Sequence, residues 1–223
     1  MNIKHILFDL DNTLYPSSQA IDQGITFRML SFTANFLGIT YQQAVELRRN
    51  RLPLYGTTLE WLQKEHGLQD INQYFEAVHP PEEINELEKD SNLRQLLISL
   101  NLPMTILTNA PMRHAKRVLD FFEITDLFMG IHDIESNNFK GKPYASSYKK
   151  AVEESGFTIQ DTIFFDDHKK YTDGFRRIGG NAILVCQKNN SKKPTHPLDT
   201  DDSFSDTIKI SSVYEIPDLL KRC

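Results

Sequence analysis

The sequence predicts an α/β fold: a parallel sheet core flanked by helices, with an all-helical domain inserted into it. Three observations carry that reading. Short apolar runs of strand length alternate with amphipathic helical stretches through most of the chain. One long segment, 16–88, shows helical periodicity alone. Two of the apolar runs end in paired acids, Asp9 with Asp11 and Asp166 with Asp167, where open parallel sheets gather their ligands.

Taken in order, Ile3 to Phe8 reads as the first buried strand, and the chain then leaves the core. In the segment that follows, Ile25, Met29, Phe32, Phe36 and Leu37 mark one helix, Ala44, Val45 and Leu47 a second, Leu59, Trp61 and Leu62 a third, and Ile71, Tyr74 and Phe75 a fourth. Gly38, Pro53 to Gly56 and Gly67 separate them, and Pro80-Pro81 leads out. Entering beside Asp9 and Asp11, this insertion is expected to close over them as a cap. Strands are then predicted at Met104 to Leu107, Ile163 to Phe165, Ala182 to Val185 and Thr207 to Ile210, with a short one at Phe128 to Ile131. Helices are predicted at Leu93 to Leu100, Met112 to Phe122, Ser146 to Glu154 and Asp173 to Ile178. Such alternation gives a Rossmann-like sheet with helices on both faces. The expected domains are a core of 1–15 with 89–223 and a helical cap of 16–88. The polar stretch from Gln187 to Asp206 reads as a long surface loop.

Composition narrows the function classes. With 223 residues, 39% of them hydrophobic, the chain has material for a packed core plus an insertion. A net charge of −5 offers no basic footprint for nucleic-acid polymers or acidic membranes. No apolar run has the length of a membrane span, and no signal peptide is visible at the start. The two cysteines, Cys186 and Cys223, have no partners at metal-ligand spacing, so a reduced cytoplasm is the expected compartment. The oligomeric state is left open.

The chemistry centres on Asp9 and Asp11. Positions i and i+2 of a strand point to one face, roughly 6–7 Å apart. Two like charges at a buried sheet edge are unfavourable unless a cation or proton offsets them. The economical reading is a magnesium site in which Asp9 is also a nucleophile and Asp11 a general acid and then base. A bare Asp-x-Asp that only binds metal or caps a helix is the bland alternative. Thr108 and Asn109, at the end of the second strand, can bond phosphate oxygens without adding charge; either would also serve as an ordinary cap for the helix near Pro111. Lys142, in Lys140-Gly141-Lys142-Pro143, can offset developing charge, with Lys140 as its competitor and a solvated surface lysine as the plain alternative. Asp166 and Asp167 repeat the opening grammar of strand followed by acids. Together the four acids form a hard-oxygen cluster suited to magnesium.

These residues carry a resemblance. Asp9-Leu10-Asp11-Asn12-Thr13, Thr108-Asn109, Lys142-Pro143 and Asp166-Asp167 stand in the order and spacing of the haloacid-dehalogenase-like phosphatases, over nearly the whole chain. The resemblance implies that Asp9 is the nucleophile, that Asp11 is the acid/base and gives a backbone carbonyl to magnesium, and that Asp166 and Asp167 hold the metal. Asp11 through Tyr15, Tyr55-Gly56-Thr57, Leu107 through Ala110 with His114-Ala115, and Gly141 through Tyr144 resemble the pyrimidine 5′-nucleotidase branch. The chain departs from that branch at His168, usually Ser, and at Tyr171, usually Asn or Asp. Asp173 is a candidate to substitute there.

The cap is expected to choose the substrate, with Arg48 and Tyr55 as candidate binding residues beside Arg49, Arg51 and Trp61. Trp61 as packing core and the arginines as a solvated face is the bland alternative. His66 and His79 read as surface or structural. The expected function is a magnesium-dependent phosphomonoester hydrolase for a small molecule, foremost a pyrimidine nucleoside 5′-monophosphate. A phosphatase for another small ester, a phosphomutase and a non-catalytic regulatory protein on the same scaffold are the alternatives.

Overall fold

We analysed a computed structural model of the chain, which describes residues 3–16, 20–186 and 208–221. Cα packing divides it into two compact units, one of residues up to 17 with 89 onward, the other of residues 18–88. The first strand is β1 (His5–Phe8). The helical unit follows with α1 (Ala20–Leu37), α2 (Tyr41–Arg51), α3 (Thr58–His66) and α4 (Ile71–Val78). The chain then runs through α5 (Leu93–Ser99), β2 (Met104–Leu107), α6 (Met112–Phe121), β3 (Ile131–His132) and α7 (Ala145–Glu154). It continues with β4 (Thr162–Asp166), α8 (Lys169–Arg177), β5 (Asn181–Val185), β6 (Lys209–Ile210) and α9 (Ile216–Leu220).

The described residues of the first unit build a six-stranded, all-parallel sheet in the order β3-β2-β1-β4-β5-β6. All four residues of β1 and of β2 are buried, as a parallel strand covered on both faces requires. The chain builds outward from β1 through β2 to β3, then returns to the other side of β1 with β4. The strand order therefore reverses between β1 and β4, and a crevice opens there at the carboxyl ends of the strands. Phe8 lies opposite Phe165 in the register, and the Asp9 N–H donates to Phe165 O at 2.9 Å. This places Asp9 and Asp166 side by side at the switch point.

One face of the sheet packs Leu7, Phe164 and Ala182 against Tyr148 and Val152 of α7 and Phe175 of α8. The rings of Tyr148, Phe164 and Phe175 meet at centroid distances of 5.4–5.6 Å. At the opposite end of β1 the fully buried His5 reaches Thr162 Oγ1 (3.1 Å) and Thr105 Oγ1 (2.9 Å) and stacks on Phe157 at 4.6 Å. Burial pushes the His5 imidazolium down to about 4.

The helical unit has capped helices. Thr40 and Gln43 form a capping box at α2, Thr57 caps α3, Asp70 caps α4, and Gly67 ends α3 in the left-handed region at φ 68°. Arg28 ties the unit together through Val78 O (2.8 Å) and Glu86 (2.7 Å). At Gly24 on α1 a Cβ would lie 2.2 Å from Glu86 Oε2, so a larger residue there would push aside the Glu86 side chain.

Several boundaries differ from those the sequence suggests. The buried stripe of α1 is Ile21, Leu30, Thr33 and Ala34. It is not the larger Ile25, Met29, Phe32 and Phe36, because Leu30 and Ala34 pack on the small Ala44. The strand expected at Phe128 to Ile131 is β3 at Ile131–His132, with Met129 exposed before it. Helix α8 begins at Lys169 rather than Asp173; its first turn is charged and hides from an apolar pattern. The loop expected at Gln187 to Asp206 and the start of the last strand at Thr207 fall outside the described residues. No described helix is long and apolar enough to cross a membrane.

Candidate active site

Lys142 organises the carboxyl edge of the sheet. Its ammonium lies 2.6 Å from Asp9 Oδ1 and 2.6 Å from Asp166 Oδ2, and its side chain is 1% exposed. It sits over the rings of Phe164 (5.6 Å) and Tyr171 (5.1 Å). The competitor Lys140 is exposed. The loop that delivers Lys142 turns sharply, with Asn138 and Phe139 both at positive φ. Asn109 then clamps it. The Asn109 Nδ2 donates to Lys142 O (2.9 Å), and the Lys142 N–H donates to Asn109 Oδ1 (2.8 Å). Gly141 has to be glycine, since a Cβ would come within 2.0 Å of Asn109 Oδ1.

Asn109 thus clamps the Lys142 loop through its side-chain amide. Thr108 is buried at the end of β2, and its Oγ1 accepts from the Ala110 N–H at 3.0 Å. Neither residue caps α6. That task falls to Asp133, which sequence reasoning missed. Buried just past β3, it accepts from the backbone N–H groups of Met112 (2.9 Å), Ser136 (3.0 Å) and Glu135 (3.3 Å). One carboxylate therefore fixes both the helix after Thr108-Asn109 and the loop leading to Lys142. The signal was an acid directly after a short apolar run.

Asp166 is fully buried and also accepts from the His168 N–H at 2.7 Å. Asp167 Oδ1 lies 2.9 Å from His168 Nδ1, and the His168 ring stacks on Tyr171 at 5.0 Å. The two departures from the branch pattern are therefore neighbours. Asp173, the candidate substitute, is taken up by Lys169 at 2.8 Å on its own helix.

The electrostatics show an excess of negative charge. Burial, with Asp166 and Asp11 adding to it, pushes Asp9 up to about 7 against the pull of Lys142. Burial likewise raises Asp166 and Asp167. Burial works against the His168 imidazolium, but Asp167 and Asp166 outweigh it and raise the group to about 9. Lys142 is held firmly in its charged form by Asp166 and Asp9, despite its burial. Three carboxylates against two cations form a donor set that fits a hard divalent ion, and Asp9, Asp166 and Asp167 could supply its oxygens.

Asp11 follows in the turn after β1, with Asn12 at φ 60°. Its Oδ1 lies 2.8 Å from His114 Nε2 of α6 and accepts the Tyr15 hydroxyl. His114 is fully buried, and Tyr15 is nearly so, stacked on Phe122 at 5.7 Å. Arg48 and Tyr55 belong to the helical unit, where Arg48 Nε donates to Thr58 Oγ1 (2.9 Å) and the Tyr55 hydroxyl to Glu65 (2.9 Å). Trp61 is fully buried there, as packing core.

The strand order and the carboxylate–lysine cluster at the switch point define an α/β protein that works at the carboxyl edge of its sheet. The chain belongs to the haloacid dehalogenase-like hydrolases, whose family model matches residues 3–179. It is 28% identical over 196 residues to Phosphate metabolism protein 8 of Saccharomyces cerevisiae, covering 81% of this chain and 61% of that protein. The chain thus spans about three fifths of that relative's length. The L-2-haloacid dehalogenase of Xanthobacter autotrophicus shares the fold at a TM-score of 0.63, with 18% identity over 98% of both chains. A HAD phosphatase from Thermococcus onnurineus does so at 0.65, with 17% identity over 98% of both.

Proposed function

We propose that this hydrolase is a phosphomonoesterase acting on a small phosphate ester through a phosphoryl group carried on Asp9. The observation that supports this most is the ammonium of Lys142 shared between Asp9 and Asp166, with a second acid, Asp11, two residues after the first. Dehalogenation has no alcohol to protonate and no use for an acid at Asp11. A phosphate ester needs one.

In this reading an Asp9 oxygen attacks phosphorus in line, forming an acyl phosphate as the ester P–O bond breaks. Asp11 gives its proton to the leaving alkoxide oxygen, then takes one from the water that releases phosphate. Lys142 pulls Asp9 toward its ionised form against the effect of burial, and offsets charge on the phosphoryl oxygens. Thr108 donates its hydroxyl to one of them. Asp9, Asp166 and Asp167, with the Asp11 carbonyl, would hold magnesium, which would offset the combined charge of carboxylates and phosphate. Helices α1 to α4 serve as a cap, with Arg48 and Tyr55 as its substrate contacts.

For the substrate we propose a pyrimidine nucleoside 5′-monophosphate in the cytoplasm, on the branch features around Tyr55 and Gly141. The yeast relative's name, which places it in phosphate metabolism, supports phosphate chemistry without naming an ester. The test is phosphate release with magnesium from UMP, CMP, AMP, GMP, phosphoglycolate, sugar phosphates and lysophosphatidate. Preference for UMP and CMP is expected. Activity confined to the other esters keeps Asp9 chemistry and discards the nucleotide. Asp9→Asn is expected to lose turnover at unchanged circular dichroism; a variant retaining near wild-type rate defeats the assignment.

A further inference from the structure

We infer that His114 and Tyr15 position the Asp11 carboxylate for protonation of the leaving group. The inference rests on the phosphomonoesterase reading above and adds two residues to it. A carboxylate in a turn after a strand can rotate about two side-chain bonds, and an acid pointing the wrong way transfers nothing. Here the rotation is stopped. The carboxylate accepts, so His114 Nε2–H and the Tyr15 O–H are the donors, and both land on Oδ1.

The two donors come from different directions. Tyr15 lies four residues beyond Asp11 on the same turn and is packed on Phe122. His114 lies in the first turn of α6, whose start is anchored by Asp133. Both rings are sealed from solvent, so neither donor can swing away. With Oδ1 held, the transferred proton is carried on Oδ2. As the bond from Asp9 to phosphorus forms and the ester P–O bond breaks, that proton passes to the departing oxygen and leaves Asp11 as carboxylate. His114 and Tyr15 keep their own protons throughout. They act through the Asp11 carboxylate, and so are positioning residues. A buried histidine bonded to the carboxylate is poorly explained as packing alone, because leucine fills such space without a polar group to satisfy.

The test uses the full chain with magnesium and esters that differ in their need for an acid. The departing p-nitrophenolate is stable without a proton; the alkoxides of UMP and glycerol 2-phosphate are not. The ratio kcat/KM covers the steps up to departure of that group and is measured for wild type, His114→Leu, His114→Gln and Tyr15→Phe. On the alkyl esters, a loss of about 100-fold for His114→Leu and about 10-fold for Tyr15→Phe is expected, against less than about threefold on p-nitrophenyl phosphate. Glutamine, which keeps an N–H donor near the same place, is expected to restore most of the alkyl activity. Equal losses on both ester types, or no rescue by glutamine in a protein that melts like wild type, would overturn the inference. If wild type cleaves only p-nitrophenyl phosphate, protonation by Asp11 is refuted. If it cleaves none of the three, the phosphomonoesterase reading itself fails.

Discussion

Replacing Asp133 by alanine tests the claim that one carboxylate fixes two site segments. The residue is 2% exposed and accepts three backbone N–H groups. Bonds to a charged acceptor contribute about 1.5 kcal/mol each at the low end, and two of these, at 2.9 and 3.0 Å, have good geometry. The third, at 3.3 Å, adds little. Alanine also leaves the first N–H of α6 without its acceptor, since no side chain of the flanking Pro111 caps it. The expected loss is about 3 kcal/mol. For a chain of this size that is a fall in Tm of about 6–12 °C. Asparagine keeps an acceptor oxygen but no charge, and should fall about half as far. Thermal and urea unfolding of the three proteins measure this directly. An Asp133→Ala protein melting within about 2 °C of wild type would refute the reasoning, and with it the idea that the α6 start and the Lys142 loop hang on one group.

Two further outcomes follow from the buried charges. Lys142→Met leaves Asp9 and Asp166 facing each other without their shared cation, and should cost about 3–5 kcal/mol at pH 8 along with phosphatase activity. Because the folded state then binds protons more tightly than the unfolded chain, part of that stability should return as pH falls through 7 toward 5; a loss independent of pH would contradict it. His5 has the opposite sign. Its folded-state value of about 4 lies below the ordinary 6.5, so the unfolded chain binds the extra proton. Stability should fall as pH drops from 6.5 to 4, and His5→Gln, though less stable overall, should show a shallower Tm slope across that window. An unchanged slope would place the acid sensitivity elsewhere.

Most of the sheet was legible because parallel strands buried on both faces read as unbroken apolar runs. The runs at Met104 and Ala182 are examples. β3 was misplaced because a two-residue strand has no pattern of its own, and the apolar Phe128 and Met129 beside it drew the reading upstream. In α1 the helix was legible but its buried face was not. The periodic apolar residues include Ile25, Met29, Phe32 and Phe36, whereas close approach to Ala44 selects Leu30 and Ala34 for burial. At the site, Asp9, Lys142 and Asp166 could be read as a set because each follows a strand or a glycine turn. The supporting groups could not. Asn109 read as a phosphate ligand because an amide suits phosphate; its clamp on the backbone of a loop 33 residues away has no local signal. Asp133 and His114 act across the fold, and nothing near them in sequence announces their partners.

The burial of Lys142 also decides which amines of this protein a chemist can reach. An acylating or reductively alkylating reagent needs an unprotonated amine with open approach. Lys142 offers neither, being 1% exposed and locked as ammonium between two carboxylates. Lys4, Lys89 and Lys221, all more than half exposed, will react before it. A lysine-directed covalent probe would therefore decorate the outside of the protein while Lys142 stays untouched. If Asp9 carries the phosphoryl group as proposed, a reagent meant for this centre has to be built as an electrophile for Asp9 instead.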